Sequence, residues 1–257
     1  MDLEPFDILI TRSYAHSQEE QDNSPDWAKL RALYKKNYIQ GASHQRIPKK
    51  IHQIWLGSEL PEKYKRLTDT WRQFHPEWEY RLWTDKDVDS ITLEKRNIFN
   101  ACNNNGMKSD ILRYEILRQQ GGIYIDTDFE CLKPFDDLIY LDFFTGIAYD
   151  SNVILYNGLI ATVPHHPVIE MCASSLNTSY RGNDAMGIIE ATGPYYFTRC
   201  FLSSVTKDTD GVVAFPMGFF YPLPNNITWD VDIKDYLCTY SYAIHHWGVS
   251  WMKIKKQ

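Results

Sequence analysis

Apolar and polar positions change period several times along this chain. From Pro25, the run DWAKLRALYKKNYI sets Trp27, Leu30, Leu33 or Tyr34, and Ile39 at helical spacing, after a polar stretch from Glu19 to Ser24 that reads as loop. IPKKIHQIWLG then brings Ile51, Ile54 and Trp55 into a β-rich run that stops at Gly57. Residues 61–75, PEKYKRLTDTWRQFH, return to a helical pattern opened by Pro61. EYRLWT (79–84) predicts a second strand, MKSDILRYEILRQQ (107–120) a helix, and IYIDTDF a third strand. Further on, DFFTGIAY and GLIATV predict strands, HPVIEMCASSLN a helix, and YAIHHWGVSW a short aromatic segment. Strand–helix alternation of this kind predicts an α/β fold around a mostly parallel sheet. Residues 1–46 read as a helical appendage and 47–257 as the main domain.

Composition narrows the class. With 257 residues, 44% apolar and 23% charged, the chain suits one large domain or a domain with an appendage. A net charge of -6 leaves no basic footprint for nucleic acid and argues against a polybasic membrane patch. The five cysteines are widely spaced without a CxxC pair, so reduced buried thiols are expected rather than zinc or a disulfide framework. The start carries acidic residues where a signal peptide needs basic ones, and no apolar run approaches about 18 residues. The expectation is a soluble protein, cytoplasmic or delivered as a secreted effector, with peripheral membrane contact left open.

Candidate chemistry centres on GGIYIDTDFE. Period-2 alternation puts Tyr124, Asp126 and Asp128 on one face of the strand. A regular strand holds the two carboxylates about 7 Å apart, and a turn after Asp126 brings them closer. Ligands of open α/β sheets collect outside the carboxyl ends of strands. Two carboxylates there repel and raise one pKa unless a cation holds them; Mg²⁺ or Mn²⁺ suits oxygen ligands that leave room for water and phosphate. In the preceding helix, Ser109 or Asp110 can cap the start and Gly121 the end. Asp110 and Arg113 share a face, either as an ordinary ion pair or as a hydroxyl acceptor and a phosphate or sugar clamp. Near the C-terminal end, His245 and His246 precede Ser250 and Trp251; adjacent residues of a strand point opposite ways, so at most one imidazole can join two carboxylates. Trp55 ends the first strand, either as core or as a stacking platform for a base, worth about 1–3 kcal/mol.

IPKKIHQIW, SDILRYEILRQQGGIYIDTD, ATGP (191–194) and AIHHWGVSW follow one another as in the DXD-containing glycosyltransferases of family 32. The chain resembles that family over about residues 47–251, and in the same motifs it is similar to the large clostridial glucosylating toxins. The resemblance implies a GT-A fold, a nucleotide-sugar donor, a divalent metal (usually Mn²⁺) and retention of anomeric configuration. By matched position it implies that Trp55 stacks on the base, that Asp110 and Arg113 hold the donor sugar and its phosphate side, and that Tyr124 lies by the ribose. It further implies that Asp126 touches ribose and metal, that Asp128 binds the metal, and that Asn157 belongs to the donor pocket. His245 or His246 would be the metal-binding histidine, with Ser250 and Trp251 reaching the diphosphate. The donor sugar is left open among UDP-linked glucose, galactose or N-acetylhexosamine, which are favoured, and GDP-mannose, and so is the acceptor: glycan, lipid or protein.

Two other classes use similar residues. A haloacid-dehalogenase-like phosphatase also places DxD after an apolar strand, but it needs a downstream lysine and a second acidic pair, of which KDTDG (207–211) is the only hint. A calcium loop starting at Asp126 would need glycine where Cys131 stands and glutamate where Asp137 stands.

Overall fold

A computed structural model describes Phe6, Leu9, Ile10 and residues 23–148, 153–182, 184–224 and 232–248. The expected elements form, with shifts at their ends. Helix α1 spans Pro25–Asn37, β1 Lys50–Ile54, α2 Glu62–Phe74 and β2 Glu79–Trp83. After a 3₁₀ turn come α3 (Arg96–Ala101), α4 (Asn105–Gln120), β3 (Gly122–Ile125) and β4 (Phe129–Cys131). Then follow β5 (Phe143–Ile147), β6 (Leu155–Thr162), α5 (Pro167–Ser174), α6 (Ala185–Ala191), α7 (Pro194–Ser204), β7 (Val212–Phe215) and β8 (Ala243–His245).

Six strands make one mixed sheet in the order β2-β1-β3-β6-β5-β7. β6 opposes both its neighbours, while the other pairs are parallel, so five strands share one direction. A second, antiparallel pair joins β4 to β8, with Phe129 opposite His245. That pairing brings the C-terminal histidines beside the paired aspartates. The fold is the expected α/β class with helices packed around the sheet.

Three local features set the site. Helix α4 starts earlier than a Ser109 or Asp110 cap requires. The Asn104 side chain accepts from the backbone N–H groups of Gly106 (2.7 Å) and Met107 (3.3 Å), because the asparagine run supplies a short polar cap one turn sooner. Asp110 is thereby free to turn inward. At the other end, Gly121 and Gly122 have φ of 62° and 93°. A Cβ on Gly121 would lie 2.6 Å from Pro164, and one on Gly122 2.7 Å from the Lys50 carbonyl, so backbone sign and close packing both demand glycine. Finally, β3 stops at Ile125. Phe129 N–H bonds the Asp126 carbonyl at 3.2 Å, so Asp126–Phe129 is a turn rather than continued strand.

Within the first 46 residues, α1 covers the edge strand β7. Tyr38 lies 5.1 Å from Phe215 ring to ring, and the Asn37 amide donates to the Val212 carbonyl at 3.0 Å while accepting from Gly211 N–H at 3.0 Å. All five cysteines are unpaired thiols, four of them buried. Among the described residues, no helix is long and apolar enough to cross a membrane.

Candidate active site

A cleft of about 660 Å³ opens at the carboxyl ends of β1 and β3. Its lining includes Trp55, Asp110, Arg113, Tyr124, Asp126, Asp128, Asn157 and His245, which brings most of the expected site residues into one cavity. A second hollow of about 690 Å³, bordered by Tyr180, Glu190 and Arg199, contains none of them.

The turn after β3 brings Asp126 and Asp128 together. Ligand atoms of Asp126, Asp128 and His245 lie within 4.8 Å of one another. His245 Nε2 is 3.1 Å from Asp128 Oδ2, and its ring stacks on Phe129 with centroids 4.4 Å apart. His246 is not brought to the cluster: its Nε2 meets Glu130 Oε2 at 2.9 Å on the other side of β8, as strand alternation requires. Asp128 also accepts from Gly248 N–H at 2.6 Å. That contact depends on Trp247, whose φ of 52° folds the chain back toward the cleft. Ser250 and Trp251 lie outside the described residues.

Arg113 is the only cation buried among these carboxylates within the described cleft lining. Its guanidinium is 3.2 Å from Asp126 and 3.2 Å from Asp110, and donates to the Asn157 carbonyl at 2.7 Å. Burial works against its charge, but Asp126, Tyr124 and Asp110 hold it protonated. Asp126 accepts from the Tyr124 hydroxyl at 2.6 Å. Burial raises its carboxyl above the usual range; Arg113 opposes this and Asp128 adds to it. Burial pushes Asp128 the same way, yet His245 and the Gly248 N–H outweigh it and leave Asp128 below the usual range. Asp110 accepts from Asn157 Nδ2 at 2.8 Å and from Thr192 Oγ1 at 2.7 Å, while burial still raises it. The Asp110–Arg113 pair is therefore part of the cleft wall and not a solvated pair on a helix surface.

Trp55 lines the cleft, half-buried, 5.2 Å from the Tyr64 ring. Asn105 Nδ2 bonds the Leu56 carbonyl at 3.1 Å and Asp85 accepts from Gly57 N–H at 2.7 Å, so the loop after β1 is held at both sides.

Sequence reasoning missed several contributors. A Cβ at Gly158 would lie 2.8 Å from Asp126 Oδ2, so glycine makes room for that carboxylate; its only signal was its place at the start of GLIATV. Thr192 lay inside the quoted ATGP, without a role. Trp247 and Gly248 likewise lay inside the quoted AIHHWGVSW without a role, and Tyr64 gave no signal, since only folding brings it here.

Two carboxylates and one imidazole within 4.8 Å form a donor set that fits Mn²⁺ or Mg²⁺. The mutual repulsion that helps raise Asp126 is what a bound cation would relieve.

The parallel-rich sheet with a DxD turn at its rim is an arrangement of the GT-A kind, and residues 61–144 match the family model described as "Glycosyltransferase sugar-binding region containing DXD motif". The chain is 32% identical over 154 residues to inositol phosphoceramide mannosyltransferase 2 of Schizosaccharomyces pombe, covering 58% of this chain and 44% of that protein. It is 30% identical over 179 residues to subversion of eukaryotic traffic protein A of Legionella pneumophila, covering 58% and 28%. An uncharacterized glycosyltransferase of Acanthamoeba polyphaga mimivirus is 29% identical over 217 residues, with 80% and 84% covered. The chain thus spans less than half the length of the first two of these relatives. Among solved structures, the ligand-free glycosyltransferase domain of the YGT toxin matches with a TM-score of 0.50 at 11% identity, over 70% of this chain and 84% of that one, a likeness of fold.

Proposed function

We propose that this chain is a metal-dependent retaining glycosyltransferase that moves a hexose or N-acetylhexosamine from a nucleotide sugar to a hydroxyl of a glycan, lipid or protein. The observation that carries this reading is the Asp126–Asp128–His245 cluster beside Arg113 in a cleft also lined by Trp55. The motif resemblance favours a UDP-sugar. Relatives named as mannosyltransferases favour a mannose donor, which makes that the second reading.

Asp126, Asp128 and His245 would hold Mn²⁺ or Mg²⁺, which when bound supplies positive charge for the leaving diphosphate. Arg113 adds a fixed cation at the same rim, already charged and desolvated, so it needs no reorganisation as charge develops. Trp55 offers a face to the base, Tyr124 lies toward the ribose, and Asp110 with Asn157 faces the sugar hydroxyls. Ser250 and Trp251 are assigned to the diphosphate. Residues 1–46, as an appendage, are given no part in the chemistry.

Transfer breaks the bond from the anomeric carbon to the diphosphate oxygen and forms one to the acceptor oxygen. The acceptor proton goes to the leaving diphosphate. Among the described residues lining the cleft, the only carboxylates are Asp110, Asp126 and Asp128. The first is engaged by Asn157 and Thr192 and the other two form the metal cluster, which supports a front-face route without a protein nucleophile.

The test is incubation with Mn²⁺ and a panel of nucleotide sugars, following nucleoside diphosphate release. Release from at least one donor, abolished by EDTA, is expected. Phosphate release from simple esters with no donor turnover would place the chain with the phosphatases instead.

A further inference from the structure

Thr192 is fully buried immediately after α6 and is joined to α4 twice. Its hydroxyl donates to Asp110 Oδ2 at 2.7 Å, and its carbonyl accepts from the Tyr114 hydroxyl at 2.7 Å. The Tyr114 oxygen in turn accepts from Asn157 Nδ2 at 3.0 Å, the same amide that donates to Asp110 Oδ1 at 2.8 Å. These bonds close a ring from Thr192 through Tyr114, Asn157 and Asp110 back to Thr192. The hydroxyl has one proton and two acceptors within reach; the Ile188 carbonyl at 3.5 Å is far the weaker, so Asp110 receives it. Ahead of Thr192, α6 lays Ala185, Ile188 and Ile189 along the cleft wall. Thr192 therefore sets both the orientation of the Asp110 carboxylate and its separation from that wall.

We propose that Thr192 is the positioning residue for the donor sugar, acting through Asp110. This rests on reading the cleft as a nucleotide-sugar site with Asp110 toward the sugar. With Oδ2 tied to Thr192 and Oδ1 to Asn157, the carboxylate cannot swing about its last torsion, and its remaining lone pairs keep fixed directions for sugar hydroxyls. Without the hydroxyl, Oδ2 loses a partner in a desolvated wall and the carboxylate turns toward Arg113, 3.2 Å away. The sugar then loses its alignment, while the base and diphosphate contact other groups.

The experiment compares Thr192→Val, close in shape but without the hydroxyl, with Thr192→Ser, which keeps it. Turnover of the donor used by the wild type is measured beside binding of the matching free nucleoside diphosphate with Mn²⁺. Thr192→Val is expected to lower kcat/KM for the donor at least about tenfold, the scale of a lost hydrogen bond to a charged group. Its affinity for free nucleoside diphosphate should stay within about twofold of wild type, and Thr192→Ser should recover most of the loss. Adding Thr192→Val to Asp110→Asn should cost little more than Asp110→Asn alone, because the two act on one carboxylate. The proposal is overturned by donor turnover in Thr192→Val equal to wild type, by an equal loss for free nucleoside diphosphate, by failure of the serine variant to rescue, or by additive losses in the double variant. If Thr192→Val and Thr192→Ala both fail to fold, the role is structural and the proposal falls. A wild type that binds no nucleotide sugar overturns the reading of the cleft itself, which is a separate outcome.

Discussion

Replacing Asp128 by asparagine separates a metal ligand from a structural carboxylate, because the two roles predict opposite changes in stability. Ligand atoms of Asp126 and Asp128 are within 4.8 Å. At an effective dielectric of about 20, two like charges at that distance repel by about 3 kcal/mol. Arg113 at 3.2 Å from Asp126 and His245 at 3.1 Å from Asp128 offset that repulsion. Both contacts of Asp128 use Oδ2, and an asparagine amide oxygen in that place can still accept from Gly248 N–H and from the Nε2–H of a neutral His245, so both survive. Without metal, Asp128→Asn should therefore be within about 1 kcal/mol of wild type or more stable. With Mn²⁺ at about a hundred times its dissociation constant, the wild type should gain about 2.7 kcal/mol. For a chain of 257 residues that is about 5–10 °C in Tm. The variant should lose most of that gain, and its donor turnover should fall by about 10²–10³. Thermal melts with and without Mn²⁺, run beside a nucleoside diphosphate release assay, measure both effects. A variant that keeps the full Mn²⁺ shift, or that turns over donor at the wild-type rate, would refute the assignment. So would a metal-free protein that melts many degrees early, since that makes Asp128 a structural group.

Three other outcomes follow from the same geometry. His245→Ala should lose the Mn²⁺-dependent stabilisation and His246→Ala should keep it, because only His245 faces the aspartates; equal losses in paired melts would contradict this. Trp55→Ala should weaken nucleotide-sugar binding by about 1–3 kcal/mol while leaving Mn²⁺ affinity unchanged, and calorimetric titrations that found both affinities altered alike would rule out a stacking role. His52 is fully buried, with Nε2 donating to the Gly121 carbonyl at 3.0 Å and Nδ1 accepting from Trp83 at 3.3 Å. Burial lowers it from 6.5 to about 4, so the unfolded chain binds the extra proton between those values. The stability it contributes is complete above about pH 6.5 and is lost as pH falls toward 4, about 3 kcal/mol in all. Urea melts across that range should be steeper in pH for wild type than for His52→Gln, and parallel curves would contradict the linkage.

Much of the layout was legible because local chemistry and tertiary demand agree. Gly121 and Gly122 signalled the end of α4, and the structure needs glycine there for both backbone sign and packing. Pro25 and Pro61 marked the approach to α1 and α2. Period-2 reasoning correctly placed His245 and His246 on opposite sides, but the pairing of β4 with β8 was needed to choose between them. At Asp126 the strand gives way to a turn, the second of the two arrangements that the alternation left open, and backbone hydrogen bonding decides between them. The start of α4 was misplaced because Ser109 and Asp110 look like caps locally, while Asn104 stands a turn earlier. α6, α7 and β7 were not anticipated: α6 is a short helix, and the four residues of β7 are an apolar run whose period says little. Gly158, Thr192 and Gly248 could not be assigned roles in advance, because each matters only through a carboxylate distant in sequence.

The central claim is that Asp126, Asp128 and His245 hold the metal that binds the donor's diphosphate. Crystals soaked with Mn²⁺ and the nucleoside diphosphate of the preferred donor, measured at the manganese absorption edge, test it most directly. An anomalous peak coordinated by Asp126, Asp128 and His245 and by diphosphate oxygens is expected, with the base against Trp55. A nucleotide bound in the cleft with manganese elsewhere, or held through Glu130 and His246, would contradict it.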